Sequence, residues 1–532
     1  MCGIFYIKSK NINNITSWNE IMESFYTLQS RGPDRSEFRV TNSQVLGFHR
    51  LAINGTSIYG DQPFCINVNN KRKICLIING EIYNHRFLSE KHSLPNYSGC
   101  DCEILLHLYY KYGLARSISM LDGVFAFVLV DNDDVYIGRD AIGVRPLYYR
   151  EKENDTIIAS SISLGLNKFR NVSKTQQVPA GSYYHFNKYH KTLITWYHIP
   201  RPLKNVDNIR EKIKFNLVEA VKKRLLSERP LGCLLSGGLD SSLIASILSE
   251  LLTDKLKTFS IGFSKNATDI IAARNVSKFL NTDHTEVIVS MEDAFESIPE
   301  VIKMIGSYDI TTVRASVGMY LLCQWISKNT DIKVIFSGEG SDELFCGYLY
   351  FHDAPTNKLL EDDSRRLVKE LPFFDVLRAD RTVSCHGLEL RVPFLDKKVI
   401  QTALSIPGGI RHPNNKIEKF ILRSAFDDDI PCIPHDILWR RKEGFSDGVG
   451  TIDNPWYLVI KNHVEDIISE DDLITAKKMG LPDPVTKESV YYFKIYNDYY
   501  SNNTEPPIPH HWMPKWQNTN DPSGRVIKAF TK

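Results

Sequence analysis

The run Ser236-Gly237-Gly238-Leu239-Asp240-Ser241-Ser242 follows a short apolar stretch and precedes a helix-forming one. Adjacent glycines let consecutive backbone N–H groups converge, the hydroxyls add donors, and a helix opening at Ser241 aims its positive end at the same point. A phosphate chain fits such a loop. It lacks the lysine of a G-x-x-x-x-G-K-[ST] element and has Asp240 in its place, which disfavours γ-phosphoryl transfer and calls for bound Mg²⁺. A second turn, Ser337-Gly338-Glu339-Gly340-Ser341-Asp342-Glu343, holds three carboxylates in five residues, which repel unless a cation neutralises them. Asp240 and Asp342 are the expected Mg²⁺ pair. At the other end of the chain, Cys2 stands directly behind Met1. If Met1 is removed, the free α-amine, with a pKa of about 7.7–8.0, can take the thiol proton, so nucleophile and base share one residue. A zwitterionic amino-acid substrate wants a guanidinium for its carboxylate and an acid for its ammonium, which Arg50 and Asp101 supply, while Asn79 and the Gly80 N–H offer donors to an oxyanion. Each also has a plain reading: Arg50 as a surface ion pair, Asn79-Gly80 as a hairpin turn, Asp101 as a helix N-cap.

Two kinds of scaffold position these residues. Up to about residue 190 the pattern is mostly strand, with apolar runs at 73–79, 124–131, 134–138 and 156–160 and helices around 18–29 and 103–112. Residues 191–206, with Pro200 and Pro202, read as a linker. From Asp207 a helix carries Ile209, Ile213, Leu217, Val221 and Leu225 on one stripe. Strands at 231–235, 257–263, 285–289 and 333–336 then alternate with helices at 241–252, 268–280, 292–305 and 315–328, which predicts a doubly wound parallel sheet with ligands beyond the carboxyl ends of its strands.

At 532 residues, 42% hydrophobic and 24% charged, the chain is large enough for two cored domains. A net charge of +2 gives no broad basic field, so nucleic acid is not an expected partner. No window approaches the length of a membrane span, and the N-terminus has no basic segment leading into an apolar core, so the cytoplasm is the expected location. The ten cysteines form no C-x-x-C pair, and Cys100 with Cys102 lacks the companions of a zinc site, so free thiols are expected.

The 236–242 loop resembles the pyrophosphate-binding loop of the ATP pyrophosphatases, which split ATP into AMP and pyrophosphate. Met1-Cys2-Gly3, Arg31-Gly32-Pro33-Asp34, His49-Arg50-Leu51-Ala52-Ile53, Asn79-Gly80-Glu81-Ile82-Tyr83-Asn84, Cys100-Asp101-Cys102-Glu103 and Asp122-Gly123-Val124-Phe125 resemble the N-terminal-nucleophile glutaminase domain of class II amidotransferases. The whole chain is similar to the glutamine-hydrolysing asparagine synthetases through Tyr308 to Ser316, Leu377 to Arg381, His386 to Asp396 and Lys442-Glu443 through Phe445-Ser446-Asp447-Gly448. Trp512-Met513-Pro514-Lys515-Trp516 and Asp521-Pro522-Ser523 look like the eukaryotic-type tail of that family.

This resemblance implies an α+β glutaminase domain of stacked antiparallel sheets over 2–190 and an α/β ATP-pyrophosphatase domain over 207–532, with a tail at 501–532. It implies catalysis by Cys2, Asn79, Gly80 and Glu339, and a glutamine pocket of Arg50, Leu51, Ala52, Ile53, Asn54, Asn79, Gly80, Glu81 and Asp101. ATP would meet Leu234, Ser236, Gly237, Gly238, Asp240, Ser241, Ile261, Ser337 and Gly338. Thr311, Thr312, Arg314 and Lys442 would serve aspartate and its adenylate. Glutamine, aspartate and ATP are the implied partners, with Mg²⁺ as cofactor, and a homodimer is compatible with the resemblance. Two other readings stand beside it: a β-lactam-synthetase-like enzyme with another carboxylate acceptor, and a non-catalytic nitrogen-sensing protein. Retention of Cys2, Arg50, Asn79 and Asp101 argues against the first, and the intact nucleophile and acidic loop against the second.

Overall fold

Strand Gly3–Lys8 places alternate side chains in two different cores, which is why its run is apolar throughout. Ile4 and Tyr6 enter one buried cluster with Ile77, Ala126 and Val128, whereas Phe5 and Ile7 enter another with Ile21 and Phe25. A computed structural model describes the chain except residues 11, 13–14, 42, 70–71, 153–155, 170–171, 204–205, 414–415, 443, 445–447, 452, 501–507 and 523–532. The expectations placed on Glu443, on Phe445 to Asp447, on Ser523 and on the tail at 501–507 and 523–532 therefore lie outside the described residues.

Two six-stranded sheets stack over the shared core. In the first, Gly3–Lys8 pairs antiparallel with Gln44–Arg50 and Thr156–Ser160. In the second, Arg72–Ile82 pairs antiparallel with Gly123–Asp131. Helix Trp18–Tyr26 covers the outer face of the first sheet, and helix Ile104–Tyr112 that of the second, through Leu105 and Leu108 against Ile78 and Phe127. The stacked antiparallel sheets expected from the sequence are present.

The third sheet has five parallel strands in the order Asp283–Ile288, Lys257–Gly262, Leu231–Leu234, Val334–Phe336, Glu389–Arg391. Chain order reverses between Leu231–Leu234 and Val334–Phe336, so both glycine turns leave the sheet at its switch point, where doubly wound sheets take ligands. Helix Leu239–Leu251 starts two residues before the expected Ser241, which brings Asp240 into its first turn.

Several expectations are corrected. The stretch at 191–206 opens with strand Lys191–Thr195, paired to Ser182–Phe186, so its first residues belong to the second sheet and not to a linker. Asn79-Gly80 lies inside strand Arg72–Ile82 and is not a turn. Helices His85–His92 and Leu114–Met120 were not expected. Cys65 and Cys75 face each other across an antiparallel pair with Cα atoms 4.3 Å apart and are joined by a disulfide, so the free-thiol reading holds for eight cysteines. Among the described residues, no helix is long and apolar enough to cross a membrane.

Asp140 ties the end of strand Asp134–Arg139 to the loop that meets the third sheet. Its carboxylate accepts the N–H groups of Phe125, Ile142, Gly143, Val144 and Arg145 at 2.7–3.2 Å, all buried. Asp140→Ala leaves these donors without their acceptor and is expected to cost about 3–5 kcal/mol in denaturant unfolding, with a smaller loss for Asp140→Asn, which keeps one oxygen.

Candidate functional site

Cys2 is held from three sides. Its N–H donates to Asn79 Oδ1 at 2.9 Å, its carbonyl accepts Arg31 Nε at 3.1 Å, and its Sγ lies 3.4 Å from the donating Leu51 N–H. Asn79 is 1% exposed, and with Oδ1 taken its Nδ2 is buried with no hydrogen-bond partner among the described residues. An orphaned donor beside a thiol is what a developing oxyanion needs. Gly80 is dictated by space, since a Cβ there would sit 2.4 Å from Val124 O.

Met1 fills the gap between this strand and the third sheet. Its ammonium is buried and donates to Leu388 O at 3.0 Å, and burial draws its pKa down to about 5. Burial raises the Cys2 thiol, against the opposing pull of the terminal amine and the Leu51 N–H. Loss of Met1 would turn the Cys2 nitrogen, already held by Asn79, into the free amine.

The remaining glutamine-pocket candidates surround Cys2. Arg50 is not at the surface: it is 4% exposed and contacts Asp61 Oδ1 at 2.6 Å, Ser57 O at 2.7 Å and Gly55 O, organising the loop after it. Ala52 N–H donates to Asp34 at 2.8 Å, and the buried Ile53 shares a core cluster with Leu51. Asn54 Nδ2 donates to Glu81 at 2.7 Å, and Arg391 reaches Glu81 from the third sheet at 3.4 Å. Burial, with Asp101 and Glu389 nearby, pushes the Glu81 carboxyl well up. Asp101 does not cap a helix with its side chain; it accepts Ile82 N–H at 2.5 Å.

At the switch point a cavity of about 440 Å³ is walled by both glycine turns. Leu234, Ser236, Gly238, Asp240, Ser241, Ile261, Ser337, Gly338, Glu339, Thr311, Thr312, Asp342 and Lys442 all line it. Gly237 does not. Its φ of +72° turns the chain, and a Cβ there would lie 2.4 Å from the backbone of Ala272, so it serves the shape of the loop.

Lysines neutralise the two aspartates expected to pair around Mg²⁺. Lys419 Nζ lies 2.5 Å from Asp240 and 2.7 Å from Asp342, and Lys442 Nζ 2.6 Å from Asp342. Against the cost of burial, Lys419 and Lys442 hold the Asp342 carboxyl far below the usual range. Glu339 pairs with Arg378 at 2.8 Å, yet burial still raises its pKa. Glu343 accepts the Tyr348 hydroxyl at 2.7 Å, and burial beside Asp375 and Asp342 pushes it well up.

Arg314 is a correction. It does not line the cavity; it is buried against Glu488 at 2.5 Å and reaches Asp521 at 3.3 Å, tying helix Lys487–Tyr499 and the tail to the helix it sits on. Its neighbours Thr311 and Thr312 do face the cavity, and both donate hydroxyls at 2.7 Å to Asp309, whose other oxygen accepts Trp512 N–H at 2.8 Å. One carboxylate thus orients two wall residues and the tail residue Trp512, which also lines the cavity. Lys419, Arg378, Glu343, Tyr348, Asp309 and Trp512 were not assigned from sequence. Asp309, Glu343, Arg378 and Trp512 fell inside the motifs named above, whereas Lys419 had no local signal.

Two family models match the chain: a glutamine amidotransferase domain over residues 1–210 and asparagine synthase over residues 212–372 and 362–494. Together they define the class, an amidotransferase followed by a synthetase. Relatives include the asparagine synthetase [glutamine-hydrolyzing] of Cricetulus griseus, 42% identical over 535 residues, and that of Homo sapiens, 41% identical over 535, each alignment covering 94% of both chains. The chain belongs to the family of glutamine-hydrolysing asparagine synthetases. Among solved structures, a glutamine phosphoribosylpyrophosphate amidotransferase from B. subtilis aligns with a TM-score of 0.34 at 16% identity over 55% of this chain and 91% of that one.

The place of Arg314 is checked by unfolding. Arg314→Leu strands the buried Glu488 carboxylate and is expected to cost about 3–5 kcal/mol, much of it regained in Arg314→Leu/Glu488→Leu.

Proposed function

We propose that the chain makes asparagine from aspartate, ATP and glutamine, releasing glutamate, AMP and pyrophosphate, with residues 2–190 as glutaminase and 207–532 as synthetase, in the cytoplasm. The observation that carries the synthetase half is the single cavity walled by both glycine turns, Glu339 and Lys442 at the switch point.

At the first site the α-amine of processed Cys2 takes the thiol proton, and the thiolate attacks the glutamine side-chain amide. Asn79 Nδ2 and the Gly80 N–H stabilise the oxyanion, ammonia leaves, and water hydrolyses the glutamyl thioester to glutamate. Asp101 takes the substrate ammonium, and Arg50 shapes the loop that receives its carboxylate. At the second site the aspartate β-carboxylate attacks the α-phosphorus of ATP, giving β-aspartyl-AMP and pyrophosphate. Ser236, Ser241 and the N–H groups of the 236–242 loop hold the phosphates, and Lys442 offsets their charge. Ammonia then attacks the acyl carbon, AMP leaves, and Glu339 takes the excess proton. Its raised pKa suits that task.

Mg²⁺ fits beside Asp240, whose Oδ1 is buried with no hydrogen-bond partner among the described residues; Asp240 and Asp342 would hold the ion. When bound it supplies charge neutralisation for the phosphates. The gap that Met1 vacates adjoins Cys2 and Leu388, within one buried apolar cluster containing Leu51, Val124, Ile142, Val144 and Leu390. That cluster favours passage of neutral ammonia between the sites.

Intact-mass measurement is expected to show the chain without Met1. Cys2→Ala is expected to abolish glutamine-driven asparagine formation and keep the ammonium-driven reaction with AMP and pyrophosphate as products; glutamine hydrolysis without pyrophosphate from the native chain would contradict the synthetase reading. Asn79→Ala should slow glutamine hydrolysis about 10²–10³-fold. Arg378 lowers the Glu339 pKa, so Arg378→Gln raises it, and the carboxylate base is then present only at higher pH. The acid limb of ammonium-driven kcat is expected to move to higher pH.

A further inference from the structure

Asp101 sits between two thiols in the turn Asp101–Glu103. Cys100 Sγ lies 3.8 Å from its Oδ1 and Cys102 Sγ 3.7 Å from its Oδ2, and one ligand atom from each of the three residues can be chosen so that all lie within 4.8 Å of one another. All three are buried: Cys100 is 9% exposed, Cys102 3% and Asp101 2%. Zinc bound tetrahedrally at about 2.3 Å from sulfur and about 2.0–2.2 Å from oxygen has sulfur–oxygen edges of about 3.6 Å; each sulfur stands within a few tenths of that distance from a different Asp101 oxygen, so binding turns the carboxylate to bring one oxygen to both sulfurs. The companion that the cysteine pair lacked is Asp101, the residue between them in the chain, whose two oxygens the fold sets beside the two thiols.

We propose that Cys100, Asp101 and Cys102 form a binding site for Zn²⁺ at the glutamine pocket. Two thiolates and a carboxylate are a borderline-soft donor set that selects Zn²⁺ over Mg²⁺, and three protein ligands leave the fourth position to water. Binding forms two Zn–S bonds and one Zn–O bond, releases the two thiol protons to solvent and involves no change of oxidation state. The Cys102 thiol that donates to Gly80 O at 3.2 Å is drawn away from that bond.

The consequence rests on the glutaminase reading above. Zinc on Asp101 occupies the carboxylate that receives the glutamine ammonium, so the metal blocks glutamine-driven synthesis and spares ammonium-driven synthesis at the distant cavity. Excess zinc would thereby switch the enzyme from glutamine to free ammonium.

Binding is tested without any turnover. In a Cys2→Ala chain, which removes the nucleophile thiol, Cd²⁺ is titrated as an optical probe and the near-ultraviolet thiolate-to-metal band is followed. The proposal expects a band saturating at one equivalent, lost in Cys2→Ala/Cys100→Ser and in Cys2→Ala/Cys102→Ser. Two variants guard against failure of either to fold, and a band of equal size in a folded double variant overturns the site. With Cys2 present, Cys100→Ser is expected to keep metal-free glutaminase activity and to weaken Zn²⁺ inhibition about tenfold or more. Inhibition of equal strength in native and Cys100→Ser chains overturns the competition with glutamine, whereas loss of the optical band with no glutaminase activity in either chain faults the glutaminase reading and leaves the metal site standing.

Discussion

Arg31 joins the nucleophile to the synthetase half. Its Nε holds the Cys2 carbonyl, while its Nη1 donates to Asp380 at 2.9 Å and to Ser384 at 2.7 Å, all in the interior. Arg145 stands 4.0 Å from Asp380 and 3.9 Å from Glu389, and Arg391 spans from Glu389 at 2.8 Å to Glu81 in the strand that carries Asn79. Buried ion pairs of this kind add little net stability, because desolvation offsets the attraction, but a broken one leaves a bare charge. The network therefore acts on orientation. These contacts tie Cys2 to the segment from Asp380 to Arg391, which carries the edge strand of the third sheet. Against the cost of burial, Arg31 and Arg381 hold Asp380 below its ordinary range, and Arg391 and Arg145 do the same for Glu389. Their contribution is present above the unfolded carboxyl pKa and is lost as pH falls through the lowered folded values.

The synthetase cavity is balanced by a different rule. Carboxylates crowd its floor, yet Asp342 and Glu339 have fixed cations in place before any ligand arrives, Lys419 with Lys442 for one and Arg378 for the other. Preorganised charge costs no rearrangement at the moment of reaction. Asp309 adds the mechanical element, because the helix start carrying Thr311 and Thr312 and the tail residue Trp512 share its two oxygens.

Features set by local spacing were legible in the sequence. Glycines after apolar runs located both turns, and the alternation of apolar runs placed four strands of the parallel sheet and helix Thr268–Leu280 close to their limits, but strand Glu389–Arg391 was missed and the helix expected at 315–328 starts at Ile310. Features set by distant partners were not. Lys419 reaches Asp240 across 179 positions and belongs to no motif, so nothing local marked it. Arg314 sits one turn from true wall residues, and only the partner at Glu488 shows which way it points. Asn79-Gly80 carries a strong turn signal that pairing with Gly123–Asp131 overrides. Cys65 and Cys75 are ten residues apart with no spacing signature, and antiparallel register alone brings them together.

The proposed reaction is a direct transfer, in which one chain makes ammonia at Cys2 and consumes it at the cavity without releasing it. It is tested most directly by the nitrogen-15 content of asparagine formed from amide-labelled glutamine in the presence of unlabelled ammonium, held below the level that drives synthesis by itself. Direct transfer predicts asparagine as enriched as the glutamine amide, whatever the ammonium pool. Enrichment that falls in proportion to added ammonium would mean that the nitrogen mixes with solvent, and the joined arrangement of the two sites would then have no part in the reaction.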